Sequence, residues 1–203
     1  MKPGIRELIA FLIECKAVQF GDFTLKSGEK SPFFVDLGCV ATGRQLSFLG
    51  DALGRAVQER FPDATLLFGP PYKGIVLASI AAEGYHRATG RDIGVSFSRK
   101  EAKGHGEKGV FFGQKPTAAD RVVIVDDVLS SGGTKLDAAN ALRDAFGVTP
   151  RGVLVTLDRT RKGHAFTELP LVALVNILDL AQSLDDAGDD RASLIRRFYE
   201  GTP

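Results

Sequence analysis

The densest chemistry in this 203-residue chain lies in VVIVDDVLSSGGTK, from Val122 to Lys135. An apolar run that reads as a buried strand ends in two adjacent carboxylates, Asp126 and Asp127. Val128 and Leu129 lead on to Ser130, Ser131, Gly132, Gly133 and Thr134, and a helix is expected to begin near Thr134. Those small residues can aim successive backbone N–H groups and hydroxyls at one point. They do so at a helix N-terminus, where the macrodipole also favours an anion. A phosphate fits there. The two carboxylates would repel it, and suit instead what lies beside it: ribose hydroxyls or a hydrated Mg2+. The bland alternative is a serine-glycine turn behind an acidic cap, and the paired acids count against it.

Other segments carry chemistry of their own. FGPPYKG, Phe68 to Gly74, is a second strand end and turn before a helix, presenting Tyr72 and Lys73, although a Gly-Pro-Pro turn can serve chain reversal alone. Arg99, Lys100, Lys103, His105 and Lys108 crowd a stretch with glycines at 104, 106 and 109 and no apolar anchor between Phe97 and Val110. It reads as a mobile cationic loop, against the plainer alternative of a solvated face. Residues 104–109 also match G-x-G-x-x-G, but five charge-rich residues precede them and an extended Val110-Phe111-Phe112 follows, so the dinucleotide context is missing. Phe33 and Phe34 can stack on a planar ring, although core packing is expected for one of them. Arg159 stands just past an apolar run, where it either meets a ligand or forms a surface pair beside Asp158. The acids at 185, 186, 189 and 190 lack calcium-loop spacing and read as a solvated turn before a helix at 191–200.

The elements that must position these groups follow from periodicity. Ile5, Leu8, Ile9, Leu12 and Ile13 recur at helical spacing. Residues 18–20 and 23–25 alternate around Gly21-Asp22, which predicts a hairpin there, and a short strand is expected at 33–37. A helix follows Thr42 with Leu46, Leu49, Leu53 and Val57 on one face. From residue 64 the apolar runs at 65–68, 93–97, 122–125 and 152–157 no longer alternate, as in strands buried on both faces, and helices at 75–89 and 135–146 separate several of them. The prediction is an α/β fold, a mostly parallel sheet flanked by helices, with ligands beyond the carboxyl ends of the strands. A single domain is expected over residues 1–203, with a helix-and-hairpin hood at about 1–60 and the α/β core at about 61–203.

Composition excludes several functions. Hydrophobic residues are 44% and charged residues 25%, ordinary for a globular chain. With 26 basic and 25 acidic residues the net charge is +1, which argues against nucleic-acid binding by bulk charge. Glycine, at 23 residues, is in excess and implies tight backbone approaches. Cys15 and Cys39 form no C-x-x-C pair, and with three histidines they assemble no zinc motif. A reducing cytoplasm is the expected location, with no membrane span: the longest apolar stretch, 169–178, is interrupted by Pro170 and Asn176. The apolar residues 8–13, closed by Glu14, do not read as a signal peptide.

The 122–135 segment resembles the loop that binds phosphoribosyl diphosphate (PRPP) in type I phosphoribosyltransferases, with Ser130-Ser131 where threonine is more usual. FGDFTLKSGEKSPFF (Phe20 to Phe34), LLFGPPYKGI (Leu66 to Ile75) and FSRKEAKGHGEKG (Phe97 to Gly109) are similar, in order and spacing, to the orotate branch of that family. The resemblance is dense from about residue 18 to 160. It implies transfer of ribose 5-phosphate from PRPP to orotate, with Mg2+ held mainly through PRPP, by way of water at Asp126 or Asp127. It assigns to PRPP the residues Lys26, Tyr72, Lys73, Arg99, Lys100, Lys103, His105, Asp126, Asp127, Val128, Leu129, Ser130, Ser131, Gly132, Gly133 and Thr134. Lys100, Lys103, His105, Asp126 and Asp127 take the catalytic roles. To orotate it assigns Phe34, Val35, Ser130 and Arg159, with Val35 thinner than the aromatic residue common there. It also implies a homodimer whose sites are shared, Lys26, Lys100 and His105 reaching into the neighbour. A purine or uracil transferase, or a PRPP-sensing regulator on the same fold, are the alternatives.

Overall fold

The computed structural model describes residues 4–25, 28, 30–99 and 111–201. Helix α1 (Ile5–Glu14) leads to an antiparallel pair, β1 (Val18–Thr24) and β2 (Lys30–Val35), and a short 3-10 turn at Leu37–Cys39 precedes α2 (Gly43–Arg60). There follow β3 (Leu66–Gly69), α3 (Lys73–Thr89), β4 (Gly94–Ser98), β5 (Phe111–Gly113), β6 (Val122–Leu129), α4 (Gly133–Phe146), β7 (Gly152–Asp158), β8 (Leu171–Asn176), α5 (Ile177–Asp186) and α6 (Arg191–Glu200). The main sheet runs β5-β4-β3-β6-β7-β8, parallel throughout except for β5 at its edge.

Strand alternation divides the core. Leu67, Val123, Val125 and Leu154 join a cluster with Leu49 and Leu53 of α2 and Leu77 and Ala81 of α3. Leu66, Phe68, Val122, Ile124, Val153 and Val155 face the other way, onto Ala138, Ala139 and Leu142 of α4. Helices on both faces explain why the strands show no polar alternation. The glycine excess does serve tight backbone approaches. A Cβ on Gly84 would lie 2.1 Å from Gly50 O, and one on Gly54 2.3 Å from Tyr85 N, so α2 and α3 touch backbone to backbone.

Two local expectations need correcting. Gly21-Asp22 is a bulge, not a turn: β1 continues through it, with the register against β2 shifting between Phe20 and Phe23. Strand β1 ends at Thr24 and β2 begins at Lys30, so the connection between them falls later than the expected turn. Strand β6 extends past Val125 to Leu129, because Asp126, Val128 and Leu129 continue its ladder with β7. The 169–178 run divides at Asn176 into β8 and α5, where Asn176 and Asp179 form a reciprocal cap. Helix α6 falls on the expected residues, and Asp185, Asp186 and Asp189 pair with Arg196, Arg6 and Arg191. Among the described residues no helix is long and apolar enough to cross a membrane.

Candidate active site

The carboxyl end of β6 lies in the middle of the sheet, and it carries both acids. Because the strand continues through them, it turns them to opposite faces. Asp126 points to the α4 side, 6% exposed, with Lys135 Nζ 2.6 Å from its Oδ2; the same ammonium donates to Val128 O at 2.6 Å. Burial pushes the Asp126 carboxyl above its ordinary range, the Lys135 charge pulls it back, and the neighbouring Asp127 adds to the rise. Lys135 escaped the sequence reading. A cation in the first turn of a helix opposes the macrodipole, and that mismatch was the available signal.

Ser130 and Ser131 form an exposed turn, and Gly132 then takes φ +80° as the cap of α4. A Cβ there would lie 2.4 Å from Phe166 Cδ2, so position 132 demands glycine on two counts. Around Gly133 the opposite holds, since a Cβ would meet nothing within 4 Å. The first N–H groups of α4, which have no intrahelical acceptor, therefore border open space. Such an arrangement can accept a phosphate-sized anion.

Asp127 faces α3. The turn before that helix is tight: a Cβ on Gly69 would lie 2.3 Å from Gly74 O, and one on Gly74 3.0 Å from Val125 O. That packing brings Lys73, the first residue of α3, between two carboxylates, with Nζ 2.8 Å from Asp36 Oδ1 and 3.1 Å from Asp127 Oδ2. Asp36, at the end of β2, was not foreseen, and nothing local in the sequence marks it. Its carboxyl is held below the usual range by the Lys73 hydrogen bond and the Gly38 N–H, against burial. For Lys73 burial works downward, but the hydrogen bonds and charges of Asp36 and Asp127 outweigh it and leave the ammonium raised.

The bridge therefore stabilises the fold above the ordinary carboxylate range, and this contribution fades as pH falls through the depressed Asp36 value. On the alkaline side it is full below the ordinary lysine value and is lost as pH rises through the raised Lys73 value. Both side chains are over a third exposed, at 43% and 35%, so the gain is under about 1 kcal/mol. In thermal melts from pH 7 down to about pH 3, Asp36→Asn is expected to flatten the acid-side fall slightly. An unchanged slope would remove the bridge from the stability of the fold.

Tyr72 beside it is 68% exposed. Arg99, just past β4, lies 4.2 Å over the Phe112 ring, which stacks on Phe97. In β2 alternation separates the two base-site residues: Phe34 is 39% exposed and rests 5.5 Å from the Phe23 ring, while the Val35 side chain is buried in the core. Phe33 is fully buried, as expected for one of the pair. Arg159 is a buried group at 6% exposure, not a surface pair, and its N–H donates to Leu129 O at 3.0 Å. Lys26, Lys100, Lys103 and His105 lie outside the described residues.

Comparison with known proteins bears on the family and the fold. The profile of the phosphoribosyl transferase domain matches residues 49–160. The chain is 44% identical over 160 residues to the orotate phosphoribosyltransferase of Agathobacter rectalis, covering 78% of this chain and 71% of that one. It is 35% identical over 212 aligned positions to that of Salmonella agona, covering 98% of each. The crystal structure of the Francisella tularensis orotate phosphoribosyltransferase superposes with a TM-score of 0.79 at 27% identity, covering 95% of this chain and 94% of the other. Leishmania donovani UMP synthase shares the fold, with a TM-score of 0.80 at 24% identity over 98% of this chain and 43% of that one.

The domain match, on a mostly parallel sheet with adjacent acids at the carboxyl end of its central strand, defines a phosphoribosyltransferase. Within that class the chain belongs to the orotate phosphoribosyltransferase family.

Proposed function

We propose that the protein transfers the ribose 5-phosphate of PRPP to orotate, giving orotidine 5′-monophosphate and pyrophosphate, a step of pyrimidine nucleotide synthesis. One observation carries this reading. The hydrogen bond from Arg159 N to Leu129 O ties the loop of the buried arginine to the residue just before the cradle. A phosphate-binding turn and a carboxylate-seeking fork thus share one end of the sheet, as a sugar phosphate and an anionic base require.

In this reading the N–H groups and hydroxyls of Ser130–Thr134 hold the 5′-phosphate, and Asp127 receives the ribose hydroxyls. Tyr72, Lys73 and Arg99 face the diphosphate. Lys26, Lys100, Lys103 and His105 are added by resemblance, as cations over the departing pyrophosphate. Orotate lies against Phe34 with its carboxylate on Arg159. As the C1–O bond breaks, the ribose becomes cationic and Asp127 offsets that charge. N1 of orotate, having lost its proton, bonds to C1 as pyrophosphate leaves, so no protein nucleophile is needed. Lys73 must leave Asp127 as the sugar arrives, and the diphosphate replaces the carboxylate as its partner.

Among the described residues no group of three or more His, Cys, Asp or Glu could hold a metal. Asp127 nonetheless offers a carboxylate three residues before Ser130, and Lys73 bridges it to the carboxylate of Asp36. That donor set fits a hydrated Mg2+ bound mainly through substrate phosphates, and Mg2+ would neutralise charge on the leaving oxygens.

The test of the reaction is to incubate the purified protein with PRPP and Mg2+ and with orotate, uracil or a purine base in turn, following nucleotide formation. Product with orotate alone is expected. Product with uracil or a purine in its place would overturn the assignment, and none with any base would favour a PRPP sensor.

We extend the proposal to a cytoplasmic homodimer with shared sites. Lys100→Ala and Asp127→Asn, each nearly inactive alone, are refolded together in equal amounts. Half of the dimers are then mixed, and each mixed dimer holds one undamaged site, so activity should return to about one quarter of wild type. If mass measurement shows mixed dimers and activity does not return, Lys100 acts within its own subunit.

A further inference from the structure

The buried Arg159 is fixed by groups from opposite ends of the chain. Its Cζ lies 4.6 Å from the centroid of the Phe33 ring in β2 and 5.1 Å from that of Phe198 in α6. The two rings meet edge to face, 5.2 Å apart at 81°, so their relative tilt is itself set by packing. Phe198 is further loaded by Arg161, with Cζ 4.6 Å from its centroid. Nη2 of Arg159 donates to Ser31 Oγ at 3.0 Å, and Ser31 Oγ in turn donates to Phe33 O at 2.6 Å.

That second bond decides the role of the hydroxyl. A serine has one proton, and with that proton on a backbone carbonyl its lone pairs are left for the guanidinium. The two rings then limit where the guanidinium plane can lie, and the serine fixes its rotation. An arginine side chain is otherwise among the costliest to order, and ordering it before a ligand arrives removes that cost from binding. With Ser31 at 3% exposure and Phe198 at 5%, the arrangement is also shielded from water, where a charged contact is stronger.

We infer that Ser31 and Phe198 are positioning residues for base recognition: they hold the Arg159 fork ready for the carboxylate of a pyrimidine base, and so set the preference for a carboxylated over a neutral pyrimidine. This rests on the reading that Arg159 receives that carboxylate. The C-terminal helix α6, far from the motif-bearing part of the chain, is thereby part of the specificity apparatus.

The test uses the full-length enzyme with Ser31→Ala, Phe198→Leu and Phe198→Tyr, and Arg159→Ala as reference. KM and kcat are measured for orotate and for PRPP. Ser31→Ala and Phe198→Leu are expected to raise the KM for orotate about tenfold, the loss of one charge-assisted contact, with the KM for PRPP unchanged. Phe198→Tyr, which keeps a ring, should restore the wild-type value. Ser31→Ala added to Arg159→Ala should cost nothing more, since there is no fork left to position. If Arg159→Ala itself leaves orotate use intact, the carboxylate reading fails. If Arg159→Ala loses orotate but Ser31→Ala and Phe198→Leu leave its KM unchanged, or move both KM values together, the positioning role is overturned while that reading stands.

Discussion

Replacing Lys135 with methionine should lower the stability of this protein by about 3–5 kcal/mol near neutral pH, among the largest losses a single substitution can cause here. The Lys135–Asp126 pair is buried, with side chains 6% and 8% exposed and Nζ 2.6 Å from Oδ2. Methionine fills much of the same space, so the loss reflects charge more than packing. Asp126 would stay buried among apolar strands with its compensating cation gone, and Val128 O would lose its donor. The pH dependence identifies the cause. Burial already holds the Asp126 carboxyl high against the pull of Lys135, and without that pull it rises further. A folded-state value raised above the unfolded one makes the variant regain stability as pH falls and lose it as pH rises. Urea unfolding at about pH 8 and about pH 5 should therefore show the larger deficit at the higher pH. Adding Asp126→Asn should recover a good part of the loss, because it removes the stranded charge. A deficit that is equal at both pH values and not relieved by Asp126→Asn would mean that Lys135 acts through packing alone.

Arg159→Ala should reduce kcat/KM for orotate by about 30- to 5,000-fold, the equivalent of roughly 2–5 kcal/mol for a desolvated charge-assisted pair. PRPP binding should survive, since the cradle and Asp127 belong to β6 and α4 and do not use this side chain. Arg159→Lys separates charge from shape. A lysine keeps the positive charge but has neither the planar fork to match a carboxylate nor the flat face to lie against Phe33 and Phe198, so it should restore little. Isothermal titration with PRPP and steady-state rates with orotate read the two effects apart. Wild-type orotate kinetics in the alanine variant, or lost PRPP binding with unchanged orotate affinity, would take Arg159 out of base recognition.

Much of the fold was legible because its signals are local. Buried parallel strands announce themselves as unbroken apolar runs, and β3, β4 and β7 fall within a residue or so of where the sequence puts them. The second helix follows Thr42 as expected, because Thr42 and Gln45 cap each other within one turn. The bulge at Gly21-Asp22 was not legible: a glycine-aspartate pair suits a turn and a bulge equally, and only the register against β2 chooses between them. Likewise β8 and α5 hid in one apolar run, although the Asn176–Asp179 cap was a local sign of the boundary.

The sequence by itself determined which chemistry is on offer: small residues that can cradle an anion, acids beside them, a cation on the neighbouring turn, and an arginine at a strand end. These depend on residue type and on separations of a few positions, which the chain carries wherever it goes. The tertiary structure alone decided which charge meets which. Asp126 and Asp127 look equivalent in sequence, yet strand alternation gives one to Lys135 and the other to Lys73. Asp36 reaches Lys73, and Ser31 and Phe198 reach Arg159, across long stretches of chain. The physical reason is that a contact between distant residues is set by how whole elements pack, through register, crossover and the close approach of glycine backbones, and no short window of sequence contains those constraints.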